Sequence, residues 1–270
     1  VTESTPPSPT IAGTFLALLA RDLWVLRKNL REFLPRTILQ PLLLVFVFTY
    51  VFPKIGQGVG GTGTAAAEFS TLLVAGVIGT SILFQGIQTT ALPLVQEFGF
   101  TREIEDRVLA PLPISLVAIE KIVAGALQCL LSALLVFPIA RFVPATEVRL
   151  DVHWPILLTL APLACVFAAS LGMTFGTLFE PRTVPILFGV IIVPMTLLGC
   201  VYFTWSSLEP IRWLQIGVLA NPLVYITEGF RAALTPVGHM SLWAVYGVMV
   251  LSTVMLTRVA VTFFTRRVIT

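Results

Sequence analysis

Apolar runs separated by short polar stretches set the layout of the chain. Runs near Thr37–Phe52, Phe69–Val95, Ile114–Ala140, Pro155–Phe179, Pro185–Phe203 and Ser241–Phe264 are long, oily and almost free of charge. About 20 apolar residues cross a bilayer as a helix. The pattern therefore predicts an all-α integral membrane protein with six transmembrane helices.

Three segments break the pattern. In Ile11–Leu34, Leu19, Leu23, Leu26, Leu30 and Phe33 recur at steps of three and four, while Arg21, Lys28, Arg31 and Glu32 lie largely off that stripe. This predicts an amphipathic helix lying in the membrane interface, with Trp24 at headgroup depth. The second segment, Gln96–Pro111, holds Arg102, Glu103, Glu105, Asp106 and Arg107. Each of these would cost about 2.5–3.5 kcal/mol at the centre of a membrane helix, so a short helix on the membrane face is predicted, capped by Thr101 and stopped by Pro111 and Pro113. The third, Thr204–Met240, is apolar yet holds Glu209, Pro210, Arg212, Asn221, Pro222, Glu228, Arg231 and Pro236. Neither half can span. Two short helices that enter the outer leaflet and return would satisfy the backbone and bury Trp213, Leu219 and Phe230. The division expected is a disordered start over 1–10, an interface helix over 11–35, and a six-span domain over 36–270 that contains the inner helix 97–110 and the outer re-entrant segment 204–240.

Composition agrees. Of 270 residues, 56% are hydrophobic and only 11% charged, against about a quarter charged in soluble domains. Mean hydropathy is +0.93. The net charge of +3 reads as membrane-flanking charge, with no nucleic-acid partner. Arg21, Arg27, Lys28, Arg31, Arg36, Arg102, Arg107, Lys121, Arg182, Arg258, Arg266 and Arg267 fall on one side of the six-span layout, and Lys54, Arg141, Arg149, Arg212 and Arg231 on the other. The positive-inside bias places both termini in the cytoplasm.

Chemistry is sparse. The sequence has no G-x-x-x-x-G-K-[ST] phosphate loop, no G-x-S-x-G elbow and no H-E-x-x-H helix. Cys129, Cys165 and Cys200 sit in apolar runs without metal-ligand spacing, and His153 and His239 are isolated loop residues. No carboxylate lies at a span centre, where a self-powered carrier would use one. The nearest, Glu120, reads as a shallow interfacial ion pair with Lys121. A lipid-modifying membrane enzyme built on Glu209, Arg212, Glu228 and His239, or a secondary carrier, are the alternatives to a transport subunit driven by a partner.

Two motifs add to this reading. Asn221-Pro-Leu-Val-Tyr225-Ile-Thr-Glu228-Gly-Phe-Arg231 resembles the "NPL-x-Y, five residues, Arg" signature of the ABC-2 type permeases, the membrane subunits of bacterial ABC exporters. Gly199–Leu214 is similar to the family's "SG-x-x-FP…LP-x-WL" run, with Thr204 in place of its Pro and Glu209 before Pro210. Arg102–Pro113 is similar to its coupling region but lacks the usual Gly-Thr. The resemblance covers nearly the whole chain.

The resemblance implies a permease in the bacterial inner membrane, paired with a second copy or a paralogue and in contact with membrane lipid. Two copies of a separate ATPase subunit would bind ATP and Mg²⁺, leaving this chain without cofactor, metal or catalytic residues. Phe100, Arg102, Glu103, Glu105, Asp106 and Arg107 would couple to the ATPase. Asn221, Pro222, Tyr225, Glu228 and Arg231 would form the outer gate, and Arg21, Trp24, Arg27, Lys28 and Arg31 the interface helix. The cargo would be an amphipathic drug, a lipid or a lipid-linked glycan. On this reading the R102E/R107E variant still inserts into the membrane but loses transport, as measured by substrate export at matched membrane levels; unchanged export would remove the coupling role.

Overall fold

The computed structural model describes residues 10–55, 64–101, 111–143, 150–179, 183, 186 and 188–269. Among these the chain is all helical, with no strand. In chain order, α1 is Ile11–Lys28 and α2 is Leu30–Phe46, which continues through a π turn, Val47–Val51, to Lys54. Then come α3 (Thr64–Gln96), which runs into a π turn at Glu97–Thr101, α4 (Ile114–Phe142) and α5 (Trp154–Leu178). A π turn at Phe188–Ile192 leads into α6 (Val193–Leu197). Two short helices follow, α7 (Arg212–Gly217) and α8 (Pro222–Leu234), and then the long α9 (Leu242–Ile269).

Five of the described helical stretches are long and apolar enough to cross a bilayer: Leu30–Val51, Ala67–Gly99, Ile114–Ile139, Trp154–Leu178 and Leu242–Ile269. Each corresponds to a run read from the sequence. The remaining run, Pro185–Phe203, differs. From Phe188 onward its helix stops at Leu197, and irregular backbone follows to Trp205. The amphipathic segment is also shorter than its periodicity suggests. Its helix ends at Lys28, the C-cap is Asn29, and residues 30–34 open α2 instead.

The centre of the bundle is the pair α3 and α5, which approach until their backbones touch. A methyl group placed on Gly172 would sit 2.1 Å from Thr90 Oγ1 and 2.7 Å from Ile87 Cα. One on Gly86 would sit 2.3 Å from Ala168 Cβ. Small residues at such a crossing let membrane helices gain close van der Waals contact, since lipid offers no hydrophobic drive between them. Thr90 Oγ1 lies 2.8 Å from the Gly86 carbonyl oxygen in its own helix and 3.0 Å from that of Ala169 across the gap. Other hydroxyls in the spans bond back to the carbonyl four residues earlier, as Thr80, Thr174 and Thr253 do. That satisfies them where water is absent.

Around this pair the fold buries α8 almost completely. Every residue from Leu223 to Leu234 is buried. The helix lies against Gly79 of α3 through Ile226 and Thr227, and Gly229 meets Leu160 of α5 and Val245 of α9. Its last carbonyls are capped from outside: Asp151 N–H donates to Leu234 O at 2.9 Å and His153 N–H to Ala233 O at 2.8 Å. At the other extreme α1 buries none of its residues. Trp213 on α7 is 77% exposed at the protein surface, so no part of the protein covers it, while Phe230 on α8 is buried within the bundle.

Replacing Gly172 with Val forces α3 and α5 apart, and overpacking of this kind costs about 1–3 kcal/mol. The G172V variant should melt several degrees below the wild-type protein in detergent, whereas G247V, at a position with no neighbour within 4 Å, should not.

Candidate functional site

Two polar assemblies lie along α3, one against its middle at Gly76 and Gly79 and one at its C-terminal end. The first is built on α8. Asn221 is its N-cap, accepting from Leu223 N–H at 3.0 Å while its amide donates to Met195 O at 2.6 Å. Pro222 follows in the first turn, where its missing N–H is no loss. Tyr225 donates to Leu219 O at 3.0 Å, and Thr227 Oγ1 donates to Gly199 O at 2.7 Å. The contacts to Met195, Gly199 and Leu219 fold the stretch 195–221 back over α8.

Glu228 and Arg231, three residues apart, share one face of α8. They form an ion pair with 1% and 0% of their side-chain surface exposed. Glu228 Oε1 also accepts from the Trp205 N–H at 2.8 Å, and Oε2 from the Met240 N–H at 2.9 Å. Arg231 Nη2 donates to Cys200 O at 2.9 Å and Phe203 O at 3.4 Å. Cys200 has a positive φ of 53°, so the chain turns there in the left-handed region and its carbonyls leave the helical ladder. The ion pair supplies partners for that backbone and ties residues 200–205, α8 and the approach to α9 into one unit.

The second assembly lies where α3 gives way to the π turn 97–101. Glu97 Oε1 accepts from Lys121 Nζ of α4 at 2.6 Å, both side chains being over 90% buried. This corrects the expected Glu120–Lys121 pair: adjacent residues on a helix point about 100° apart and do not face each other, so Lys121 pairs across to the end of α3. Next in the chain, Phe98 packs edge-on to Phe264 of α9, with centroids 5.9 Å apart, and the Arg267 guanidinium lies 4.7 Å over the Phe98 ring. The same Arg267 donates to the carbonyls of Gly176, Thr177 and Phe179 at 3.1, 2.6 and 3.3 Å. It thereby caps the C-terminal end of α5, where a cation also suits the helix dipole. Four helices thus meet at the neck of the charged segment.

Of the residues singled out for that segment, Phe100 falls in the π turn, while Arg102, Glu103, Glu105, Asp106 and Arg107 lie outside the described residues. Arg21, Trp24, Arg27 and Lys28 are on α1, with the Lys28 ammonium 5.5 Å from the Trp24 ring; Arg31 belongs to α2. No motif marks Lys121 or Arg267. Their only sequence signal is a cation at the end of an apolar run. Among the described residues no group of three or more His, Cys, Asp or Glu could hold a metal ion. The three cysteines are free and buried.

Comparison with known families matches residues 14–235 to the one described as ABC-2 type transporter. That range takes in α8 and both assemblies except Met240 and the contributions of α9. Among individual proteins, the Inner membrane transport permease YadH of Escherichia coli K12 is 26% identical over 219 residues, 80% of this chain and 82% of that one. The protein of the same name from Shigella flexneri matches to the same extent.

Removing one partner of the Glu228–Arg231 pair leaves a buried charge uncompensated, which costs about 3–5 kcal/mol. R231M and E228Q should each lower thermal stability in detergent strongly, and the double variant should lose less than the two losses summed, by about 1 kcal/mol or more. Additive losses would show that the two side chains act independently.

Proposed function

The chain belongs to the ABC-2 type transporter family, and from that premise we propose that it is the permease subunit of an exporter driven by a separate ATPase. The coarser part stands on the family match and the five apolar helices: this is a membrane transport subunit rather than an enzyme. The exporter role, the direction of movement and the cargo class are the proposal. So is the location. The name of the E. coli relative, an inner membrane transport permease, supports a multi-pass protein of the bacterial inner membrane. Six crossings with both termini inside follow if the stretch around Phe188–Leu197 completes a span, with residues 204–240 as a re-entrant outer segment.

The observation that carries the coupling reading is the neck at Glu97 and Phe98. A charged segment that pushes on the spans needs a stiff root, and this one is tied to α4 by Lys121 and to α5 and α9 through Arg267. ATP binding at a partner would then favour one arrangement of the helices over another through differential affinity. At the far end the Glu228–Arg231 unit keeps the outer segment as a rigid cover. A second permease copy, two ATPase copies with ATP and Mg²⁺, and an amphipathic drug, lipid or lipid-linked glycan complete the proposal.

Co-expressed with its cognate ATPase subunit and purified in detergent, the chain should co-elute with that subunit and raise its ATP turnover when cargo is added. Failure of the two to associate would end the exporter reading.

A further inference from the structure

Where α2 passes α3, within both membrane-spanning stretches, a small cleft of about 10 Å³ opens between Thr37, Gln40 and Pro41 of one helix and Ser81, Gln85 and Gln88 of the other. Its polar lining is all hydroxyl and amide, with no charged side chain. Two side-chain groups in it have no protein partner. Thr37 is 2% exposed and Gln85 7%, and neither Thr37 Oγ1 nor Gln85 Nε2 makes a hydrogen bond. A third group is backbone. Pro41 has no N–H, so the carbonyl of Thr37, four residues earlier, loses the donor that an unbroken helix would give it. Polar groups left dry inside a span are costly. These three are complementary, because the amide nitrogen donates, the carbonyl accepts and the hydroxyl does either. Yet Thr37 Oγ1 and Gln85 Nε2 do not bond to each other.

We propose that this cleft binds one water molecule, which joins α2 to α3. A space of roughly 10–15 Å³ holds a single water, and a buried water takes two to four polar partners. Here it accepts from Gln85 Nε2 and donates to the Thr37 carbonyl, and the Thr37 hydroxyl makes the third bond. The water stands in for the ladder bond that Pro41 removes, one of the ways in which a proline is accommodated within a membrane helix. An ion would find no opposite charge in the lining, and a larger molecule would not fit. The inference rests on the membrane-embedded reading and not on coupling to an ATPase.

The test uses the full chain in lipid nanodiscs, equilibrated with heavy-oxygen water and exposed to a microsecond X-ray pulse. Radiolysis turns bound water into hydroxyl radicals, and mass spectrometry reads the heavy oxygen added to the side chains beside it. Pro41 and Phe84, which line the cleft, should be labelled at least fivefold more than Phe167, a fully buried residue of α5. The T37V/Q85M variant should lose that excess while keeping its fold, because replacing both polar groups by apolar ones of similar shape is often close to neutral. Should the double variant fail to fold, Q85M alone takes its place with the same expected loss. Labelling of Pro41 and Phe84 no greater than that of Phe167, or an undiminished excess in the folded variant, would overturn the site. No ATPase enters this measurement, so a chain that never associates with one would end the exporter reading and leave the water site standing.

Discussion

Arg231 is the largest fully buried side chain among the described residues, and the packing of residues 195–240 is organised by its need for partners. A guanidinium taken out of water is costly unless its donors are used and its charge is matched. Glu228 matches the charge, and the carbonyls of Cys200 and Phe203 take hydrogen bonds. Those carbonyls are available only because the backbone abandons its helix after Leu197 and turns through positive φ at Cys200. Glu228 in turn reaches the N–H groups of Trp205 and Met240. The irregular stretch and the buried charge meet most of each other's needs, with Arg231 Nε the one guanidinium nitrogen left without a hydrogen bond.

The C-terminal end of α3 solves a related problem with less burial and more reach. Glu97 and Phe98 occupy the last turn before the charged segment, and each is held by a different helix. Arg267 does two things there, capping α5 and lying over Phe98. A cap at the end of a membrane helix would ordinarily be left to water or headgroups. Supplying it from α9 fixes the relative depth of two spans and the root of the segment between α3 and α4 in one contact.

Much of this architecture was legible in the sequence, because hydrophobic run length is a direct physical signal of a helix in lipid. Five runs became long helices, and the Asn221–Arg231 motif pointed to the residues that build the outer unit. What could not be read were tertiary pairings. Nothing local to Lys121 shows that its partner lies 24 residues earlier, and the helix geometry that forbids Glu120 does not say which carboxylate replaces it. The destination of Arg231 was equally hidden, since its acceptors exist only once Cys200 has turned. Phe230 and Trp213, two aromatic residues of one apolar stretch, look alike in sequence, yet one is enclosed by the bundle and the other stands on a six-residue surface helix. The charged residues 102–107 stand outside the described residues.

The crossing of α3 and α5 bears on how the molecule can change shape. With Gly86 and Gly172 seated directly on opposing backbone, there is no layer of side chains between the two helices that could re-rotamerise and let them slide. They form a strut. Relative movement is easiest where packing is looser, as at α1, none of whose residues is fully buried, and α2, which carries Pro35 and Pro41 within it.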